Sequence, residues 1–237
     1  MINNYLRNEF RNLDSDYFIQ NDDFIVSTQS IVNEDHLNQT ERSNTHGTFD
    51  NMKRKKTNIN FAVTNARSLA PKIESLREYI MELDLTFGVL TESWLRDDQS
   101  LENTKDDLSL GSRLGLLIRN RKSARGRNAG GGVAVVYDMN RISLKVIPTK
   151  RTGVEVLVVS GRILGLSRRL VVIAAYIPPR TRAAGRDNFL KTIKDNIGFI
   201  KESMSNPLIV LAGDFSRFDI TPAIQDFPDI QVNMSPP

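Results

Sequence analysis

Short runs of β-branched and aromatic residues alternate with two amphipathic stretches along residues 58–237, and this order constrains the fold more than any other feature. The predicted strands lie at residues 60–64, 85–90, 132–137, 142–147, 154–159, 170–177 and 208–212. The first amphipathic stretch, residues 71–84, repeats its apolar residues at helical spacing. A second helix is predicted from a cap at Asp187 through Ile200.

This order predicts an α/β (α+β) fold. A strand–helix–strand unit comes first, several consecutive strands follow, and a helix–strand unit comes last. Because each sheet must bury an apolar face, we expect a β-sandwich of two sheets flanked by helices in four layers. The 237 residues, 40% of them hydrophobic, suffice for one core, which we place in residues 58–237.

Residues 1–57 differ in composition from the rest of the chain. They are rich in Asn, Asp, Ser and Thr and show no sustained period, which predicts a disordered or loosely ordered polar tail. Near its end lies the basic run Lys53-Arg54-Lys55-Lys56. For this run a nuclear address, a phosphate-binding arm and a solvated linker all stay open.

Composition excludes several classes of site. Without any cysteine there is no disulfide scaffold, thiolate zinc site or cysteine nucleophile. No apolar run approaches the roughly 20 residues that cross a bilayer, and the first residues lack the apolar core of a signal peptide. We therefore expect an intracellular protein with no membrane partner, in which the basic run allows a nuclear location.

Three polar residues lie just past the ends of predicted strands: Asn65, Glu92 and Asp214. The carboxyl ends of strands are where α/β sheets gather ligand-handling groups, because the strand holds the side chain while the following loop opens a crevice. Each residue alone has the simpler interpretation of a turn or loop residue. Three such positions on separate strands together predict a shared site.

Divalent-metal hydrolysis is the chemistry that fits these side chains. Magnesium prefers oxygen ligands and commonly takes one or two carboxylates while keeping water. Glu92 and Asp214 supply carboxylates, whereas the only histidines, His36 and His46, lie in the polar tail. We expect Mg²⁺, with Mn²⁺ as the alternative, and no small-molecule cofactor.

Five segments carry a resemblance to a known family: VTNARSL, LTESWL, GGGVAVVY, AAYIPPR and LAGDFS. In order and spacing they resemble the successive motifs of the endonuclease–exonuclease–phosphatase superfamily. They are most similar to the apurinic-like endonuclease domains of non-LTR retrotransposons. Over residues 58–237 the resemblance implies a metal-dependent phosphodiesterase that nicks DNA and leaves a 3′-hydroxyl for reverse transcription.

The resemblance also implies residue roles. Glu92 would be the principal magnesium ligand with Asn65 beside it, and Tyr176 would direct its hydroxyl at the scissile phosphate. The alternative for Tyr176 is a half-buried strand-end aromatic. Asp214 would orient or activate the attacking water. Ser216 stands where the family has an Asn that donates to the phosphate, and losing such a donor costs on the order of 100- to 1,000-fold in rate.

Family members continue into a further strand that carries an Asp–His pair, and no counterpart precedes Pro237. The resemblance therefore implies a domain truncated at its C-terminus, with an exposed sheet edge and weak or absent catalysis. Two alternatives stay open. One is a non-catalytic nucleic-acid-binding remnant, and the other is a phosphoester phosphatase of the same superfamily.

Cations concentrate in residues 113–127, just before Gly130-Gly131-Gly132. With a net charge of +4 and a pI of about 9.4, such groups suit a polyanion but do not require one. We expect a monomer that contacts DNA phosphates in a salt-dependent, sequence-blind manner, with solvated loops as the alternative. The predicted contacts are Arg119, Arg121, Lys122, Arg125, Arg127 and Arg180.

Overall fold

The computed structural model describes residues 17–20, 25–33, 57–95, 106, 113–120, 130–149, 154–164, 166–216 and 218–234. Within these ranges the strands form two sheets. The first sheet has the order β1-β2-β3-β4-β6-β5 and contains β1 (Tyr17–Gln20), β2 (Ile25–Asn33), β3 (Thr57–Asn65), β4 (Phe87–Thr91), β5 (Leu114–Arg119) and β6 (Val133–Asp138). The second has the order β11-β10-β9-β8-β7 and contains β7 (Ile142–Val146), β8 (Glu155–Ile163), β9 (Arg169–Tyr176), β10 (Leu208–Asp214) and β11 (Gln231–Met234).

Helices cover the outer face of each sheet. After a 3-10 turn, helix α1 (Ile73–Glu82) packs Leu76, Tyr79 and Ile80 against the first sheet. Helix α2 (Ala183–Ser203) buries Phe189, Ile193, Ile197 and Ile200 against the second sheet, beside the short helix α3 (Thr221–Ile224).

A third apolar cluster lies between the sheets. It draws on the inward-facing residues of both, and the rings of Phe61 and Phe87 stack there with centroids 4.9 Å apart. The layers therefore run helix, sheet, sheet, helix, which confirms the predicted four-layer sandwich. Of the helices in the described ranges, none combines the length and apolar content that a bilayer crossing needs.

Parallel pairing determines where the strand ends meet. β3 and β4 are parallel, with Asn65 opposite Thr91, and β9 and β10 are parallel, with Tyr176 opposite Asp214. Both pairs therefore deliver their carboxyl ends to one edge of the sandwich. β8 runs antiparallel to β9 and begins at the same edge, where Glu155 lies opposite Tyr176.

The structure differs from the expected loose tail at β1 and β2, which pair with each other and extend the first sheet through β3. The polar run Ser27–Ser30 interrupts the β-branched residues of β2, so its apolar pattern is weak. Pairing with β3 stabilises the strand instead. The rest of residues 1–57, including the basic run, lies outside the described residues.

Three further features correct or add detail to the sequence expectations. Helix α2 begins at Ala183, before the predicted cap at Asp187, because the Arg182 carbonyl already accepts from the amides of Gly185 and Arg186. β5 forms inside the cation-rich segment 113–127, for which no strand was predicted. The second sheet does end in an edge strand, and that strand is β11, which pairs with β10 in parallel from Val210 onward.

Candidate active site

Four predicted site residues meet at the common edge, two from each sheet. The Asn65 amide donates to Asp214 Oδ2 at 3.0 Å, and the Tyr176 hydroxyl donates to Glu92 Oε1 at 2.8 Å. Each hydrogen bond joins a residue of the first sheet to a residue of the second. Because Asn65 and Glu92 end adjacent strands, as do Tyr176 and Asp214, the two bonds close the four side chains into one cluster.

The loop that carries Glu92 has a left-handed backbone, with φ of 52° at both Glu92 and Trp94. Such values are uncommon outside glycine and persist where surrounding contacts impose them. Those contacts are present: the amides of Ser93 and Trp94 donate to the carbonyls of Gly132 (3.3 Å) and Gly131 (2.9 Å). The loop therefore fixes the direction in which the Glu92 carboxylate leaves the strand.

Asp214 is held by donors on both carboxylate oxygens. Oδ2 accepts from Asn65, and Oδ1 accepts from the amide of Ser216 at 2.9 Å and from its hydroxyl at 3.3 Å. Gly213 precedes it because a Cβ there would lie 1.8 Å from the carbonyl oxygen of Ala175. Glycine thus lets β9 and β10 approach closely enough to bring Asp214 beside Tyr176.

The Tyr176 side chain is neutral in this surrounding. It is buried, and burial is the largest cause that raises the pKa of its phenol above the ordinary value. The hydrogen bond to Glu92 and the negative charges of Glu92, Asp214 and Glu155 raise that pKa further. Tyr176 can therefore act as a hydrogen-bond donor throughout the neutral pH range.

The donor set suits a hard cation better than a soft one. No group of three or more His, Cys, Asp or Glu side chains gathers among the described residues. The site instead offers carboxylates, an amide and hydroxyls, an all-oxygen set of the kind that magnesium completes with water. Asn65 Oδ1 accepts from the Arg67 amide at 3.2 Å, and an amide oxygen has a second lone pair for a ligand.

Glu155 was not predicted from the sequence, yet it borders the site. Its carboxylate is 8% exposed and accepts a hydrogen bond from the Gly132 amide, so it holds the glycine segment to which the Glu92 loop is bonded. It begins its strand instead of following one. Glu155 therefore does not fit the pattern of polar residues after strands. It reaches this edge because β8 runs antiparallel to β9.

The predicted nucleic-acid contacts occupy different positions in the structure. Arg119 donates to Thr149 Oγ1 at 2.8 Å and to the carbonyl of Val156, so its guanidinium joins the two sheets. The contact of Arg119 with phosphate stays a prediction beside this structural role. Arg180 is exposed, four residues beyond Tyr176, and stays a predicted contact. The remaining four, Arg121, Lys122, Arg125 and Arg127, lie outside the described residues.

No family model and no curated protein matches the chain. Among solved structures it is similar to humanized D. rerio TDP2 carrying 14 mutations, with 14% identity and a TM-score of 0.44 over 68% of this chain and 65% of that one. It is also similar to an endonuclease/exonuclease/phosphatase from Bacteroides vulgatus, with 14% identity and a TM-score of 0.48 over 68% and 65%. A third is the mannosyl-6-phosphatase Bt3783 of Bacteroides thetaiotaomicron VPI-5482, with 11% identity and a TM-score of 0.47 over 68% and 63%. The chain spans less than two thirds of the length of each of these structures.

Proposed function

We propose that this chain is a phosphoester hydrolase of the endonuclease–exonuclease–phosphatase superfamily, and that its site is a magnesium-dependent phosphodiesterase that nicks DNA. We further propose an origin in a non-LTR retrotransposon, on the five sequence motifs alone. The proposed activity rests on one observation: Asn65, Glu92, Tyr176 and Asp214 form one hydrogen-bonded cluster. Oxygen-bearing side chains from four strand ends and two sheets converge there without a protein cation between them in the described residues.

Each side chain of the cluster has a defined part in the proposed reaction. Glu92 and Asn65 would hold Mg²⁺, which when bound supplies polarisation of a phosphoryl oxygen. Asp214, oriented by the Asn65 amide and by Ser216, accepts the proton of the attacking water. Tyr176 keeps its proton; its hydroxyl donates to Glu92 in this structure and would turn to donate to the phosphate when substrate is bound. Water attacks phosphorus and the bond to the 3′-oxygen breaks. The 3′-oxygen takes a proton from solvent and leaves as a 3′-hydroxyl, and the phosphate stays on the 5′ end of the other fragment.

The test is relaxation of supercoiled plasmid by the purified chain in the presence of Mg²⁺. We expect nicking by the unaltered protein and its loss in Glu92→Gln, by about 100- to 1,000-fold or more, since an electrostatic contact of the reaction is removed without a change of shape. Glu78→Gln makes the same substitution on the exposed face of helix α1 and serves as the matched control. It should nick as the unaltered chain does.

Other outcomes separate the rival functions. Retention of plasmid without nicking at any Mg²⁺ or Mn²⁺ concentration would contradict the hydrolase and favour a nucleic-acid-binding remnant. Release of phosphate from small phosphoesters without DNA cutting would favour a phosphatase. Equal nicking by Glu92→Gln and the unaltered chain would show that the activity does not come from this cluster.

A further inference from the structure

Trp94 projects from the same short loop as Glu92 and is 48% exposed. Singly exposed apolar residues are common on protein surfaces and carry no function by themselves. Trp94 differs from such residues because its neighbours in the chain, Ser93 and Leu95, are buried. The loop therefore turns only the indole outward.

The backbone of this loop is fixed around the indole. Trp94 has φ of 52°, a value that is rare for a bulky side chain, and its amide is bonded to the Gly131 carbonyl at 2.9 Å. The ring lies against Gly130, where a Cβ would be 2.8 Å from indole Nε1 and 3.0 Å from Cε2. Glycine at this position therefore makes room for the ring, and the ring is held in place before any ligand arrives.

The surroundings of the indole favour one kind of ligand. Trp94 lies two residues from Glu92, a separation of at most about 7 Å along the chain, so a group stacked on the ring would adjoin a phosphate at the cluster. Arg67 and Arg180 are exposed at the same edge, near Asn65 and Tyr176 in sequence. An exposed ring on the loop of a carboxylate that suits a cation, with exposed arginines close in sequence to two other cluster residues, matches a nucleotide strand better than an apolar protein surface.

We infer that Trp94 is a stacking platform for an unpaired base, and that the site binds single-stranded or locally unpaired nucleic acid with this base beside the scissile phosphate. The inference rests on the proposed function for the place of the phosphate and names its substrate class. Base stacking on an aromatic side chain contributes about 1–3 kcal/mol per base. That contact would let the site distinguish a strand of nucleotides from a small phosphoester, which offers a phosphate but no base.

The test uses the fact that Trp94 is the only tryptophan of the chain. Its fluorescence is followed while the full chain, in EDTA, is titrated with a short oligothymidylate and with an oligomer of equal length and charge that lacks bases. We expect saturable quenching by the base-bearing strand and little change with the abasic one. Equal quenching by both, or by neither, would overturn the inference, as would emission that depends on protein concentration without any oligomer, which would indicate a second copy on the ring.

Variants provide a second measurement, the anisotropy of a labelled oligomer. Trp94→Ala should weaken binding by about 5- to 150-fold, and Trp94→Phe should keep most of the affinity because a ring remains. Phe199→Ala is the matched control: Phe199 is 52% exposed but lies sixteen residues after Ala183, roughly 24 Å along helix α2. Unchanged affinity in Trp94→Ala, with circular dichroism like that of the unaltered chain, would overturn the inference.

The two proposals fail separately. Quenching without nicking would leave the stacking platform in place and remove the hydrolase, since binding in EDTA does not depend on cleavage. Nicking without quenching would do the reverse. An oligomer of ribothymidine titrated in parallel distinguishes an RNA strand from a DNA strand, because it presents the same base and phosphate and differs only in the 2′-hydroxyl of the sugar.

Discussion

The carboxylates at the two ends of the sandwich have different hydrogen-bond partners. At the end away from the site, Asp138 is 1% exposed and accepts hydrogen bonds from Arg113 Nε at 3.0 Å and Nη2 at 2.7 Å. Arg141 likewise reaches the Asp84 carboxylate at 2.7 Å. At that end a guanidinium neutralises each of these negative charges.

At the site end the donors are neutral. Among the described residues, Glu92 accepts from the Tyr176 hydroxyl, and Asp214 accepts from Asn65 and Ser216, with no ion pair at either carboxylate. Hydroxyl, amide and backbone donors orient a carboxylate without cancelling its charge. The same chemical group is thus used for stability at one end and kept available for a cation at the other.

The largest expected effect tests the site end. Asp214→Asn should lower the nicking rate by about 100- to 10,000-fold, because the proposed proton acceptor is lost. The free energy of unfolding should fall by only about 1 kcal/mol, since one acceptor oxygen becomes an NH2 group facing a donor but no cation loses its partner. Plasmid nicking and urea denaturation measure the two quantities. A marked loss of stability would contradict the contrast between the ends.

Tyr176→Phe removes a single hydroxyl from the cluster. We expect a fall in nicking rate of about 100-fold or more, because one donor aimed at developing charge is lost. The rest of the ring stays in the core, so the fold should persist. A nicking rate equal to that of the unaltered chain would favour the alternative, in which Tyr176 is a half-buried packing residue at the strand end.

Asp138→Asn tests the opposite end. Loss of the charged hydrogen bonds from Arg113 should lower the free energy of unfolding by about 2 kcal/mol. Nicking per folded molecule should not change, because Asp138 ends β6 at the edge remote from the cluster. Urea denaturation and plasmid nicking on the same preparation check both parts. A rate loss without a stability loss would break the comparison.

A buried tyrosine outside the site predicts an alkaline loss of stability. Burial, with a smaller contribution from the charge of Glu82, raises the pKa of Tyr79 from 10.0 to about 12. The folded state therefore keeps this phenol neutral after the unfolded state has ionised. The stabilisation is complete below pH 10 and is lost above it, at about 1.4 kcal/mol per pH unit until the folded pKa is passed. Tyr79→Phe should flatten this decline in urea titrations between pH 9 and 12 and leave nicking at neutral pH unchanged.

The smallest effect is expected at Ser216. Its φ of 46° is left-handed, a conformation that Asn tolerates better than most residues, and its hydroxyl is turned onto Asp214. Ser216→Asn should raise the nicking rate, by about tenfold at most, because the longer amide reaches past Asp214 toward the phosphate. A rate that falls would show that the Ser216 hydroxyl is needed where it is.

Much of the sandwich follows from local pattern. Runs such as residues 170–177 and 208–212 predict buried strands because they are apolar, β-branched and bounded by turn residues. β5 and β2 were not predicted as strands. Cationic residues flank β5, polar residues interrupt β2, and pairing with β6 and β3 decides the conformation of each. Helix α2 begins where the backbone carbonyl of Arg182 accepts hydrogen bonds, and no side-chain type predicts this backbone contact.

The cluster could be anticipated in part for a geometric reason. Asn65, Glu92 and Asp214 follow strands, and parallel strands bring such positions to one edge whatever the loops do. The partners of each side chain could not be anticipated. That Arg119 turns inward to Thr149 depends on how the two sheets face each other, which sequence spacing does not encode.

The hydrogen bond between Asn65 and Asp214 closes a span of 149 residues. Contacts of such sequence separation form late, after the segments between them have been ordered. A nascent chain therefore carries Asn65, Glu92 and Tyr176 for some time before Asp214 leaves the ribosome and docks against them. The proposed cutting activity would be absent until Asp214 has emerged and the second sheet has closed on the first.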